Sequence, residues 1–161
     1  MGSRMAANLL KNGVDLTVYN RSKAPVEKLV EAGAKTAASA NEAIKDADLV
    51  FSMLSTPEVV ESVFLADNGV LSCIKKGTIW VDCTTVNPSF SLKANVAAKK
   101  MGVQFIDAPV AGTKPHAENG ALVFFVGTDK NLLETIQPFL EMMGKKVIPI
   151  GETGKGASFK M

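Results

Sequence analysis

Short apolar runs rich in valine and isoleucine alternate along this chain with longer stretches of helical period, and that alternation constrains the fold more than any single motif. A strand buried on both faces reads as continuous apolar sequence, whereas a helix lying on a sheet shows apolar residues three and four apart. Repeated in turn, the two patterns mark a parallel sheet with crossover helices, so the expected fold class is α/β. Strands are predicted over 15–19, 49–54, 78–82, 103–107, 122–126 and 146–150. Helices are predicted over 4–11, 24–32, 41–45, 57–64, 88–101 and 130–143. Two of them carry explicit start signals, Thr56-Pro57 and Asn87-Pro88, in which a polar cap precedes a proline in the first turn.

With 161 residues, 47% of them apolar and 21% charged, the chain can pack one core, and no repeat or linker divides it. A formal charge of +2 supplies no bulk attraction to nucleic acid or an anionic membrane. No apolar run reaches the ~20 residues of a spanning helix. Any anion binding must therefore be local, and the expected location is cytoplasmic, with organellar targeting left open because the N-terminus reads as cut short. Cys73 and Cys83 lie in no metal-ligand spacing and are expected to be small buried hydrophobes, so no metal site is predicted.

At the N-terminus, Gly2 precedes the apolar helical face Met5, Leu9 and Leu10, as the last glycine of a Gly-x-Gly-x-x-Gly turn would. Such a turn lets the backbone approach a pyrophosphate, whose charge is held by free N–H groups at the helix start. Alone, Gly2 is equally an ordinary helix entry. The next strand ends in Tyr19-Asn20-Arg21-Ser22-Lys23, about where the residue that reads the adenosine ribose falls. An NAD site places a carboxylate there for the 2′-hydroxyl. Here Asn20, Arg21, Ser22 and Lys23 offer neutral and cationic donors suited to a 2′-phosphate, and the competing reading is a solvated basic turn.

Further strand ends, Met53-Leu54-Ser55-Thr56 and Asp82-Cys83-Thr84-Thr85, deliver small hydroxyl residues to the carboxyl edge of the sheet, where open α/β sheets bind ligands. Asp107-Ala108-Pro109-Val110-Ala111-Gly112-Thr113 adds a third loop that enters a flexible turn. Finally, Gly154-Lys155-Gly156-Ala157-Ser158-Phe159-Lys160 sets a lysine one turn into a helix entered through glycines. A buried lysine exchanges a proton near neutral pH, but without context Lys160 reads as a surface charge.

Read in order, these segments resemble the β-hydroxyacid dehydrogenase family, and the glyoxylate/succinic semialdehyde reductase branch more than the 3-hydroxyisobutyrate dehydrogenase branch. The resemblance rests on Met1-Gly2-Ser3-Arg4-Met5-Ala6-Ala7-Asn8-Leu9, Tyr19-Asn20-Arg21, Met53-Leu54-Ser55, Asp82-Cys83-Thr84-Thr85, Asp107-Ala108-Pro109-Val110-Ala111-Gly112, Ala117-Glu118-Asn119-Gly120-Ala121-Leu122 and the terminal glycine-lysine segment. It implies a Rossmann-type doubly wound, mostly parallel sheet, with an NADP-binding domain over 1–150 and the start of an interdomain helix over 151–161. It further implies an NADP(H)-dependent oxidoreductase that interconverts a small hydroxy acid and its aldehyde or oxo acid.

By the same resemblance, Gly2 belongs to the dinucleotide turn and Asn20, Arg21 and Ser22 meet the ribose phosphate. Met53, Leu54 and Thr85 line the nicotinamide side, Ala111, Gly112 and Thr113 hold the substrate carboxylate, and Lys160 is the catalytic acid/base. His116 is expected to be a surface residue. The family usually has serine at the position of Ala111, so its grip on the carboxylate falls to Thr113 or to backbone N–H groups. The family also has a central first strand before the position of Met1 and a helical domain after Lys160 that builds a homo-oligomer. The chain therefore reads as truncated at both ends, and weakly active or inactive in isolation. A non-catalytic dinucleotide-binding module is the alternative, against which Lys160 argues. A methyltransferase would want an acidic residue where Asn20 stands.

Overall fold

The structure, a computed structural model, describes residues 1–161. In chain order it contains helix α1 (Gly2–Lys11), strand β1 (Thr17–Val18), α2 (Lys23–Glu31), β2 (Lys35–Thr36), α3 (Ala40–Ile44), β3 (Leu49–Ser52), α4 (Pro57–Val60) and β4 (Ile79–Asp82). There follow α5 (Pro88–Lys100), β5 (Gln104–Asp107), β6 (Val110–Ala111), α6 (Lys114–Glu118), β7 (Leu122–Gly127), α7 (Lys130–Met143), β8 (Gly144–Gly151) and α8 (Lys155–Lys160).

Both predicted start signals operate: the Thr56 side chain accepts the Val59 N–H and the Asn87 side chain accepts the Phe90 N–H, each with proline in the first turn. The helix expected over 57–64 is interrupted. After Val60 it widens into a π turn over Glu61–Leu65, and Phe64 in that turn stacks on Trp80 with ring centroids 4.1 Å apart. Where a flexible turn was expected to close the segment 107–113, the chain forms the short β6 and leads into α6.

Strands β3, β4 and β5 pair in parallel, β7 joins β5 and β6 antiparallel, and β8 pairs with β7 in parallel. The fold is thus α/β, Rossmann-like and mostly parallel. Register makes each pleat consistent. Trp80 stands beside Phe105 and faces a core layer with Val60, Phe64, Val103 and Ala94. Val81 stands beside Ile106 and faces the opposite layer with Met5, Leu9, Phe124, Ile136 and Leu140. Alternate residues of one strand thereby bury against helices on both sides, as the continuous apolar runs require.

One sheet was expected, and two are present. The pair β1-β2 is separate, so β1 and β3 each keep one unpaired edge. Residues of both strands, including Val18 and Phe51, line a cleft of about 970 Å³ that also reaches Gly2, Met53 and Leu54. No helix is long and apolar enough to cross a membrane. Cys83 is buried as expected, whereas Cys73, which directly follows the short 3-10 turn over Val70–Ser72, is exposed.

Candidate active site

At the start of α1, Met1 makes no side-chain cap and no acidic residue occupies the first turn. The helix start is therefore free to meet an anion, which is the state a pyrophosphate site requires. Gly2 lies against the strand end that follows β3: a Cβ on it would stand 3.5 Å from the Met53 Cβ. Gly2, assigned to the dinucleotide turn, and Met53, assigned to the nicotinamide side, thus stand next to each other.

Asn20, Arg21 and Ser22 are exposed, and Asn20 and Arg21 line a second cavity of about 660 Å³ with Tyr19, Lys23 and Val26, to which Glu27 and Glu31 of α2 also contribute, whereas Ser22 is not among its lining residues. Asn20 donates its side-chain N–H to the Ser22 carbonyl at 3.0 Å, which shapes the turn. Arg21 forms no ion pair. An unengaged guanidinium on a turn with no carboxylate of its own matches the donor set a phosphate monoester needs.

On the other side of the cleft, two aspartates close adjacent strands in register, Asp82 on β4 and Asp107 on β5. Asp82 is 1% exposed, and its Oδ1 accepts from the Ser52 hydroxyl at 2.8 Å and the Thr84 N–H at 3.2 Å. Trp80 Nε1 in turn donates to Ser52 Oγ at 2.9 Å, while Asp82 Oδ2 has no partner. Burial pushes the Asp82 carboxyl up to about 6, against the hydrogen bonds from Thr84 and Ser52, with the neighbouring Asp107 charge adding to the rise. The Thr84 hydroxyl accepts the Leu54 N–H at 3.0 Å, so the two strand ends after β3 and β4 are tied together.

The next residue, Thr85, is exposed and meets Lys160: Lys160 Nζ donates to Thr85 Oγ1 at 2.8 Å. Partial burial lowers the Lys160 pKa from the ordinary lysine value. The ammonium is thus held at the carboxyl edge of the sheet with a hydroxyl beside it, an arrangement able to give a proton to an oxygen and take it back.

In the third loop, Ala111 pairs with Val123 across β6-β7, and Gly112 adopts φ +139, in the region that favours glycine. A Cβ on Gly112 would stand 2.8 Å from Leu122 Cδ2 and 3.1 Å from His116 Cβ. His116 is exposed as expected, yet it is not idle: its Nδ1 accepts the Thr113 N–H at 3.0 Å and lies 2.8 Å from Thr113 Oγ1, capping α6. The cue was the Thr113-to-His116 spacing of a capping box, whose fourth position is ordinarily Glu or Gln. No hydrogen bond joins Ala111, Gly112 or Thr113 to Lys160. The loop is instead fastened to α1, where Asn8 donates to the Ala117 carbonyl at 2.6 Å and Arg4 pairs with Glu118 at 2.7 Å.

Over residues 1–151 the chain matches the family described as the NAD binding domain of 6-phosphogluconate dehydrogenase. It is 42% identical to glyoxylate/succinic semialdehyde reductase 2, chloroplastic, of Arabidopsis thaliana, over 100% of this chain and 45% of that protein. It is 40% identical to the NAD-dependent L-serine dehydrogenase of Pseudomonas aeruginosa, over 100% of this chain and 54% of that protein. Its backbone superposes on a solved structure of Mycobacterium tuberculosis 3-hydroxyisobutyrate dehydrogenase with L-serine at a TM-score of 0.94, with 31% identity over 99% of this chain and 54% of that one. These relatives bear out the resemblance read from the motifs. The chain spans about half the length of each.

Proposed function

The chain belongs to the family of the NAD binding domain of 6-phosphogluconate dehydrogenase, and from that premise we propose that it is the nucleotide-binding part of an NADP(H)-dependent oxidoreductase interconverting a small hydroxy acid and its aldehyde or oxo acid. The observation that carries this reading is Lys160, its pKa lowered by burial, hydrogen-bonded to Thr85 at the carboxyl edge of the sheet. In this reading residues 1–150 form the NADP-binding domain and 151–161 lead into an interdomain helix. Glyoxylate and succinic semialdehyde are the first substrates to test, given the Arabidopsis relative's name.

Gly2 and the free N–H groups of α1 hold the pyrophosphate, Arg21 with the Asn20-Ser22 turn holds the 2′-phosphate, and Met53, Leu54 and Thr85 flank the nicotinamide. When bound, the nicotinamide supplies or accepts the hydride. Lys160 gives a proton to the carbonyl oxygen during reduction and recovers it from the hydroxyl during oxidation, while Thr85 keeps the ammonium aimed between exchanges. Ala111, Gly112 and Thr113 grip the substrate carboxylate, with Thr113 and backbone N–H groups serving where the family has a serine side chain. The Pseudomonas relative is named as NAD-dependent, so the NADP preference rests on the Asn20-Arg21 turn alone.

Energy transfer from the single tryptophan, Trp80, to bound reduced nicotinamide tests the cofactor assignment, titrating NADPH and NADH in parallel. Tighter binding of NADPH is the expected result. Equal binding would leave a generic dinucleotide fold, and binding of neither would remove the oxidoreductase reading.

A further inference from the structure

Helix α8, which carries Lys160, is six residues long, far below the length at which a helix holds itself together in water. Its N-cap residue is a glycine with no side chain to cap it, Gly154 at φ +92. What holds its first turn is Asp107, a residue 47 positions earlier in the chain. Asp107 Oδ1 accepts the Gly154 N–H at 2.7 Å and Oδ2 accepts the Ala157 N–H at 2.8 Å. Both oxygens of a carboxylate that is 1% exposed are thereby committed to the start of one short helix.

The surroundings leave room for this contact and for little else. A Cβ on Gly127, the register partner of Asp107, would overlap Asp107 Oδ1, and a Cβ on Gly156 would overlap the Phe125 carbonyl and lie 3.0 Å from Asp107 Oδ2. Lys160 follows Ala157 by three residues, about 4.5 Å along a helix axis, so a shift at the held N–H carries through to the ammonium. The neighbouring Asp82 holds Thr84, and with it the strand end that presents Thr85. Two register-paired carboxylates therefore stand behind the two partners of the Lys160-Thr85 contact.

We infer that Asp107 is a positioning residue for Lys160: its carboxylate clasps the first turn of α8 to the end of β5 and so fixes where the ammonium stands. The functional weight of this clasp rests on the reading of Lys160 as acid/base; its geometry does not. The test is nuclear magnetic resonance on the whole chain, following amide exchange at Gly154 and Ala157 and the titration of the Lys160 ε-methylene, with Trp80 fluorescence reporting on the core. In Asp107→Asn, which turns one acceptor into a donor facing an N–H, both amides should exchange at least tenfold faster. The Lys160 titration should also move up toward the ordinary lysine value as the helix end becomes hydrated. Gly127→Ala, which keeps the carboxylate but displaces it, should give the same two changes.

Unchanged exchange and an unchanged Lys160 titration in a folded Asp107→Asn protein would overturn the inference. Should neither variant fold, exchange in the parent protein decides. The Gly154 and Ala157 amides should open as one unit with a common free energy, and independent opening would overturn the clasp. Lys160→Ala with undiminished turnover would instead defeat the catalytic reading while leaving the amide result in place.

Discussion

Lys160 Nζ lies 2.8 Å from Thr85 Oγ1, joining a helix at one end of the chain to a strand end 75 residues earlier. Because burial lowers the lysine pKa, Lys160 loses its proton below the usual lysine range, as the proposed acid/base role requires. In the active enzyme, Lys160→Ala should lower kcat by about 10²–10⁴-fold with KM and cofactor affinity little changed. Lys160→Arg should not restore it, because a guanidinium does not release its proton. Steady-state kinetics in both directions check this, and a variant within a few-fold of the parent would end the acid/base assignment.

Arg21 has no partner in the protein. If it reads the 2′-phosphate, Arg21→Ala should remove a charge-assisted contact worth about 1.5–3 kcal/mol, weakening NADPH binding at least tenfold while leaving NADH binding as it was. Asn20→Asp should move preference toward NADH by supplying a carboxylate for the 2′-hydroxyl. Parallel titrations read by Trp80 energy transfer measure both, and equal losses for the two cofactors would count against the assignment.

Asp82 links pH to stability. Its folded-state carboxyl sits at about 6, above the ~3.9 of an unfolded aspartate, so the folded protein holds a proton that the unfolded chain has released. Its contribution is fully present below about pH 4, declines as pH rises, and is gone above about pH 6, a loss on the order of 3 kcal/mol. Asp82→Asn keeps an acceptor for Ser52 and Thr84 but cannot ionise. Between pH 4 and 7 the melting temperature of the parent should therefore fall relative to the variant by roughly 10 °C. A difference between the two that stays constant over that window would show that Asp82 titrates normally.

His116 caps α6 by accepting the Thr113 N–H. His116→Ala removes a cap of about 1 kcal/mol and loosens the Ala111-Gly112-Thr113 loop. If that loop grips the substrate carboxylate, as proposed, KM should rise about fivefold, while kcat and NADPH affinity stay near the parent values. A fall in kcat with constant KM would place His116 in the chemistry instead.

The long elements were legible because their signals are local. The apolar runs of β3, β4, β5 and β7 and the caps at Thr56 and Asn87 are written within a few residues of where they act. The two-residue strands β2 and β6 and the five-residue α6 were missed, since segments that short show no period. Gly2, Asn20, Arg21, Thr85 and Lys160 were singled out as motif members. The roles of Asp107 and His116 were not, although Asp107 opens one of the motif segments and His116 is expected only as a surface residue.

The sequence by itself determined which of the longer stretches are strands and helices, where several of them start, and which residue types stand at the carboxyl edge. Those properties follow from backbone torsion preferences and from burial periodicity, and both act between near neighbours. Only the tertiary structure decided that β7 runs antiparallel to β5, that β1 and β2 stand apart from the main sheet, and that Asp107 and Asp82 back the Lys160-Thr85 contact. Those outcomes depend on strand register and on hydrogen bonds between groups dozens of residues apart. Their partners are selected by packing of the whole chain, and no local window of sequence contains both members of such a pair.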